Sequence, residues 1–261
     1  MRFNKEETDM SIDYGFGFLD EIEQAKKESW PVLLPVGTIE YHGHHCAYGT
    51  DTLVAMGMIQ KVAEKRDVVV MPPIWYGVAS YAVAGPELHT VDVSTDAFEE
   101  YMYCILKSLL DGGFRKIFLL VCHQTDGYMP MTLACMKAAK KAIFAYTEEH
   151  NGKGWWGRNE NGVFFDGDRA DDNPFDWIRV LRGLMPASMA ANEEEQKLLD
   201  GDHAGIFETS QLKVLYPEAV KEERIKDNTE WYTKSAADMS IPLGEKIVAG
   251  CLEELLKEID Q

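Results

Sequence analysis

The sequence lacks the features that mark several other classes of protein. No continuous apolar run reaches about 18 residues, so we expect no membrane-spanning helix. The polar, acidic stretch at the start has no apolar core of the kind a secretory signal requires, so we expect a cytoplasmic protein. Basic residues are few: 26 Lys and Arg stand against 44 Asp and Glu, which gives a formal net charge of -18. Because an acidic surface repels phosphate backbones, we expect no nucleic-acid partner.

Cysteine pairs and nucleotide-binding motifs are missing as well. The five cysteines are odd in number, widely spaced and contain no C-x-x-C pair, which argues against a disulfide framework and against a cysteine zinc knot. We therefore predict reduced thiols. The chain also has no phosphate-binding loop, no G-x-G-x-x-G fingerprint and no G-x-S-x-G elbow, which disfavours nucleotide-binding, dinucleotide-binding and serine-hydrolase functions.

What the sequence does contain is typical of an α/β enzyme. Of its 261 residues, 46% are hydrophobic, and no Pro, Ser or Gly-rich linker divides them, which predicts one domain over residues 1–261. Short apolar runs alternate with segments of helical period, which indicates a parallel sheet covered by helices. The predicted strands are 32–36, 68–71 and 116–121, and the predicted helices are 52–65, 96–110, 129–149, 193–199, 206–215 and 243–259.

The densest group of polar residues follows the first predicted strand. Glu40 and His42 are two positions apart, so in extended backbone their side chains point to the same side. Asp51 lies at the start of the next predicted helix, where free N–H groups favour a carboxylate. Alone, Asp51 could be a helix N-cap and Glu40 a solvated loop residue. Three histidines and two acids within twelve positions instead favour a divalent-cation site. Two-metal hydrolases use such ligands to hold a pair of ions.

A second candidate ligand, His123, follows the strand predicted at 116–121. Its neighbour Cys122 suggests the alternative of a thiolate nucleophile. Adjacent residues of a strand point to opposite faces, however, so we predict that Cys122 belongs to the core and that His123 faces the crevice at the carboxyl ends of the strands.

A third group lies far along the chain, in the segment Asp202–Ser210. Asp202 and Glu208 could be a helix cap and part of a solvated helix face. A histidine beside a carboxylate, as in Asp202-His203, could equally supply acid and base to a leaving group. The local sequence does not choose between these alternatives.

Together these groups resemble the creatininase (creatinine amidohydrolase) family. The resemblance runs from Pro35 to about Pro217, through PVGTIEYHGHHCAYGTDT, PPIWYG, GGFRKIFLLVCHQTDG and HAGIFETS. It implies a three-layer α/β/α fold with a mostly parallel central sheet, a site for two divalent ions (Zn²⁺ or Mn²⁺, with Fe²⁺ also possible), and a homo-oligomer, commonly a hexamer.

The resemblance also implies a role for each candidate residue. Asp51 would bridge the two ions, Glu40 and His123 would complete one site, and His42 would bind the other ion. Glu208 is then the remaining acidic ligand, because this chain has Thr125 where creatininases proper have a glutamate. Asp202 and His203 match a Glu-His pair and would transfer protons, with Asp202 orienting His203.

The function implied is hydrolysis of a C–N amide bond in a small cyclic substrate by a metal-bound hydroxide. Two alternatives stay open. One is hydrolysis of a C–C bond in an inositol-derived cyclic diketone, and the other is a non-catalytic metal-binding protein on the same fold. Leu199, where creatininases carry a tryptophan, counts against creatinine as the substrate. Trp155, Trp156 and Trp177 could line a lid over the substrate or pack under the irregular segment 151–174.

Overall fold

A five-stranded parallel sheet forms the centre of the protein. The computed structural model describes residues 11–123, 129–154, 173–182 and 202–261. The strands are β1 (Ile12–Asp13), β2 (Val32–Val36), β3 (Val69–Val70), β4 (Ile117–Val121) and β5 (Ile178–Arg182). They lie in the order β1-β3-β2-β4-β5, and every neighbouring pair is parallel.

Helices connect and cover these strands. The α-helices are α1 (Leu19–Lys27), α2 (Thr50–Ala63), α3 (Thr95–Asp111), α4 (Pro130–Asn151), α5 (Ile206–Leu215) and α6 (Ile241–Ile259). Short 3₁₀ segments cover Pro86–Leu88, Pro174–Asp176, Pro217–Ala219, Glu222–Asp227 and Trp231–Asp238. Within the described ranges, no helix combines the length and the apolar character needed to span a membrane.

The alternation of side chains along the strands produces two apolar cores. Val32, Leu34 and Val36 of β2 face a cluster formed with α3 and α4, whereas Leu33 faces a second cluster formed with α2, α5 and α6. β4 alternates in the same way. Because each face of the sheet is covered by its own helices, the fold is a three-layer α/β/α sandwich, as the sequence predicted.

The predicted helices and strands differ from the observed ones mainly where the segment is short or rich in charged residues. β2 and α5 have the predicted bounds, and the other matched helices agree to within about two residues. The sequence pattern did not predict β1, α1 or β5, so His123 follows the fourth strand of the structure, whereas the predicted strands made it follow the third. The helix predicted at 193–199 lies outside the described residues.

The structure decides between the stated alternatives at two individual residues. Helix α2 begins at Thr50 with Gly49 as its N-cap, so Asp51 lies inside the first turn instead of capping it. Trp177 is buried in the core beside α4, and the guanidinium of Arg115 lies 4.6 Å from its ring. It therefore does not line a lid. Trp155 and Trp156 lie outside the described residues.

The end of β2 is packed directly against the start of α2. A Cβ atom at Gly37 would lie 2.4 Å from the backbone nitrogen of Thr52, closer than atoms can approach, so only glycine fits there. This close approach brings the loop after β2 and the first turn of α2 to the same edge of the sheet. That edge is formed by the carboxyl ends of the strands, where open α/β sheets bind their ligands.

Candidate metal centre

Four chain segments bring the candidate ligands to the carboxyl edge of the sheet. Glu40 and His42 lie in the loop after β2, Asp51 in the first turn of α2, His123 just after β4, and Glu208 in the first turn of α5. The first four of these residues are at most 3% exposed. Burying so many ionisable groups together is costly unless they are paired or bind a cation.

The first set of donor atoms comes from Glu40, Asp51 and His123. Nδ1 of His123 lies 3.1 Å from Oδ2 of Asp51 and 3.4 Å from Oε2 of Glu40. One ligand atom from each residue lies within 4.8 Å of the other two, which is a spacing that one metal ion can bridge.

The second set comes from His42, Asp51 and Glu208. Nε2 of His42 lies 3.5 Å from Oδ1 of Asp51 and 3.6 Å from Oε2 of Glu208. Asp51 belongs to both sets and presents a different oxygen to each, which is the arrangement of a bridging carboxylate. The ring of His203 lies 4.2 Å from that of His42, and Glu40, His42 and His203 form a third, overlapping group.

Several donor atoms of the centre make no hydrogen bond to the part of the chain that the structure describes. They are both carboxylate oxygens of Glu40, Nε2 of His42 and Nε2 of His123, and all four are buried. Buried polar atoms are nearly always satisfied, so such a concentration of exceptions calls for a ligand. Carboxylate oxygens and imidazole nitrogens are the donors that Zn²⁺ and Mn²⁺ accept. The donor set therefore fits divalent ions.

The orientation of His42 also suits a ligand. Its Nδ1 lies 2.9 Å from the carbonyl oxygen of Glu40. Because a carbonyl can only accept, Nδ1 carries a proton, and Nε2 faces the two carboxylates. A backbone carbonyl behind a metal-binding imidazole is the usual way in which its tautomer is fixed.

The ionisation of these groups shows how strongly they interact. Burial raises the pKa of Glu40 to about 7. Burial also raises the pKa of Asp51, but His123 and His42 outweigh it and hold that pKa below its usual range. For His42, burial lowers the pKa, yet Glu208 and Asp51 together raise it well above its ordinary value. The carboxylates thus draw positive charge to the imidazoles, and a bound cation would displace those protons.

Asp202 and His203 are neighbours in sequence but make separate hydrogen bonds. The carboxylate of Asp202 accepts from the backbone nitrogens of Phe207 and Glu208, at 3.3 and 3.0 Å. Nε2 of His203 donates to the carbonyl oxygen of Tyr41 at 2.8 Å. Asp202 thus holds the first turn of α5, and Tyr41 holds the His203 ring. Burial raises the pKa of Asp202 to about 7 and lowers that of His203 to about 4.

The remaining candidates from the sequence lie outside this group. Cys122 is 1% exposed and packs in the apolar core on the α2 side of the sheet, which confirms the prediction that it is a core residue. His44 is exposed, and His45 is buried but belongs to none of the candidate metal groups. Thr125 lies outside the described residues.

Sequence reasoning missed two aromatic residues beside the centre. The carbonyl of Tyr41 holds His203, and the hydroxyl of Tyr41 donates to Oε1 of Glu230 at 3.0 Å. The ring of Tyr232 meets the ring of His203 edge to face, with centroids 5.3 Å apart. Glu230 and Tyr232 stand in a stretch with no helical or strand period, so nothing in the local sequence marks them.

Comparison with known proteins identifies the family. The sequence model of the creatininase family, described as creatinine amidohydrolase, matches residues 19–250. The chain therefore belongs to the creatininase family.

Curated relatives carry several different activities. The chain is 32% identical over 115 residues to a 3-dehydro-scyllo-inosose hydrolase of Thermotoga maritima, a match that covers 44% of this chain and 37% of that protein. It is 26% identical over 205 residues to a creatinine amidohydrolase of Pseudomonas putida, covering 76% of this chain and 68% of that protein. A mycofactocin precursor peptide peptidase of Mycolicibacterium smegmatis is 39% identical over 74 residues, covering 26% of this chain and 29% of that protein.

Solved creatininases share the whole fold. A manganese form superimposes with a TM-score of 0.69 at 21% identity, covering 95% of this chain and 97% of that one. A mutant creatininase in a Zn-Zn form gives a TM-score of 0.72, again at 21% identity and with the same coverage. At this identity the likeness establishes the architecture, and the substrate has to be argued from the site itself.

Proposed function

We propose that this chain is a dinuclear metal-dependent hydrolase that cleaves a C–N amide bond in a small cyclic substrate. The observation that carries the proposal is the pair of buried donor sets that share Asp51. The two oxygens of Glu40 and Nε2 of His42, which have no hydrogen bond among the described residues, support it, because cations held by the two donor sets would satisfy them. Family membership and relatives that are named hydrolases agree with this chemistry.

Each proposed ion has its own three ligands. Glu40, Asp51 and His123 would hold the first ion, and His42, Asp51 and Glu208 would hold the second, with Zn²⁺ or Mn²⁺ as the leading candidates and Fe²⁺ as a third. When bound, divalent ions polarise a carbonyl group and lower the pKa of water so that it attacks at neutral pH.

His203 is the proposed proton-transfer residue. Since its Nε2 hydrogen is held by the carbonyl of Tyr41, the lone pair lies on Nδ1. The lowered pKa keeps the ring neutral at pH 7. Nδ1 can then accept a proton from the attacking water and return it to the leaving nitrogen. Asp202 would support this step through α5, because its carboxylate holds the first turn of that helix, which carries Glu208 and begins three residues after His203.

Metal analysis tests the proposal most directly. Protein purified without chelators should contain close to two divalent ions per chain, and adding Mn²⁺ or Zn²⁺ to chelator-treated protein should raise its melting temperature and restore hydrolysis. His42→Ala should abolish binding of the second ion. His44 is an exposed histidine of the same loop, so His44→Ala should leave both ions bound. Protein with no bound ion and no metal-dependent rise in melting temperature would overturn the proposal.

A second reaction on the same site is favoured by one comparison. The similarity to the 3-dehydro-scyllo-inosose hydrolase supports cleavage of a C–C bond in a cyclic diketone derived from an inositol. The same carbonyl chemistry applies, but the leaving group is an enolate carbon instead of a nitrogen. Incubation with cyclic amides and with oxidised inositols, followed by the mass of each product, separates the two reactions.

Domain organisation and assembly complete the proposal. We take residues 1–261 as one domain and a homo-oligomer, a hexamer by family likeness, as the assembled form. Light scattering of the purified protein measures the mass directly. The non-catalytic alternative is tested by turnover, since a protein that only binds metal hydrolyses neither the cyclic amides nor the oxidised inositols.

A further inference from the structure

His45 is a buried histidine that the proposed mechanism does not use. It is 1% exposed and lies three residues after His42, yet its ring takes no part in the candidate metal groups. Instead, Nε2 lies 2.9 Å from Oγ1 of Thr209 in α5, and Nδ1 lies 2.9 Å from Nδ2 of Asn228. One ring thus joins the loop after β2 to two distant segments of the chain.

The direction of these hydrogen bonds follows from Asn228. Its Oδ1 accepts from the backbone nitrogen of His44 at 2.8 Å, so its Nδ2 faces His45 and donates to Nδ1. The proton of the His45 ring therefore lies on Nε2 and is donated to Oγ1 of Thr209. The hydroxyl of Thr209 donates in turn to the carbonyl oxygen of Ala204 at 3.3 Å. The donors run in one direction, from Asn228 to Ala204.

The chain of hydrogen bonds ends at a strained turn next to a proposed ligand. Ala204 has a φ of 50°, in the left-handed region that residues other than glycine seldom adopt, and such a conformation persists only when its surroundings hold it. The Thr209 hydroxyl donates to the carbonyl of Ala204, and the backbone N–H of Ala204 donates to Oε2 of Glu208 at 2.6 Å. That same oxygen faces Nε2 of His42 at 3.6 Å.

We propose that His45 is a positioning residue for the second ion site. By holding Thr209 and the turn at Ala204, it fixes the carboxylate of Glu208 opposite His42. The inference rests on the proposed function, since the position of Glu208 matters in this way only if Glu208 binds an ion. The first site depends on Glu40, Asp51 and His123, and none of these residues belongs to the chain of hydrogen bonds. The effect of His45 should therefore be selective.

Calorimetric titration of the metal-free full chain with Mn²⁺ tests the inference, because it measures the affinity of each ion without any substrate. Thr209→Val removes the hydroxyl at nearly constant shape, and His45→Leu removes both ring nitrogens. Both should lower the affinity for the second ion by about 10- to 100-fold, the usual cost of losing a group that orients a metal ligand. The affinity for the first ion should stay within about twofold of wild type. Thr209→Ser and His45→Gln each keep a donor and should restore most of that affinity.

The outcomes separate this inference from the proposed function. Wild-type protein that takes up fewer than two Mn²⁺ ions per chain would overturn both. Wild-type protein that binds two ions, with Thr209→Val binding both at unchanged affinity, would overturn the inference alone, because the network would then serve only the stability of the fold. An equal loss at both sites would also overturn it. Thr209→Val gives this answer even if His45→Leu does not fold.

Discussion

The carboxylate shared by the two donor sets makes a quantitative prediction about metal-dependent stability. Asp51 presents one oxygen to His123 and the other to His42, so its loss should weaken the binding of both ions. The loss of Glu208 should weaken the binding of one ion. We therefore expect Asp51→Asn to lose nearly all of the stabilisation that metal provides and Glu208→Gln to lose about half of it.

The size of the effect follows from linkage. An ion present at 100 times its dissociation constant stabilises the folded state by about 2.7 kcal/mol. For a chain of 261 residues, an unfolding entropy of about 2.1 cal/mol/K per residue gives a total of about 0.55 kcal/mol/K. Each ion should then raise the melting temperature by about 5 °C, and two ions by about 10 °C.

Differential scanning calorimetry of each variant with and without Mn²⁺ measures this rise, so any change in the stability of the metal-free variant cancels. We expect about 10 °C for wild type, about 5 °C for Glu208→Gln and under about 2 °C for Asp51→Asn. Asp238→Asn makes the same chemical change at an exposed position and should behave like wild type. If Asp51→Asn kept the full wild-type rise, Asp51 would not be a ligand common to both sites.

Three further predictions concern His203, the proposed proton-transfer residue, and the thiols. His203→Ala should lower turnover by about 10²- to 10⁴-fold, the usual contribution of a general acid or base, with metal content unchanged; a parallel loss of bound metal would show that His203 is a ligand instead. Cys122→Ala should keep its activity while losing about 1 kcal/mol in the free energy of unfolding, since the thiol only packs in the core; a large loss of activity in folded protein would return Cys122 to the list of nucleophiles. A thiol reagent should modify one cysteine in the native chain, the exposed Cys104, and all five after unfolding; rapid reaction of several thiols in native protein would contradict the buried positions of the other four.

The sequence predicts those parts of the fold that its local pattern determines. β2 is a continuous apolar run ended by Gly37, and it appears with the predicted bounds. α1 is only nine residues long, has three apolar residues and buries only Ala25, so its apolar pattern is too short to mark a packed helix. β1 is two residues long, and β5 carries two arginines at the edge of the sheet; neither has the apolar run by which strands were recognised.

Some contacts of the candidate site follow from the local sequence, and others depend on tertiary packing. Glu40, His42 and Asp51 are close in sequence, and glycines and a helix start lie between them, so their proximity follows from local structure. Glu208 joins them only because α5 packs on the same side of the sheet as α2, which no local pattern reports. The pairing of His45 with Asn228, 183 residues away, is a tertiary contact that the sequence gives no means of predicting.

Asp51 would also couple the two proposed ion sites to each other. A single shared carboxylate would limit how far apart two ions could lie, and an ion that drew one of its oxygens closer would move the other oxygen with it. The radius and charge of the first ion would therefore change the shape of the site offered to the second. Metal preference in such a centre belongs to the pair of ions, and competition experiments with two different metals should report it as uneven occupancy of mixed and matched pairs.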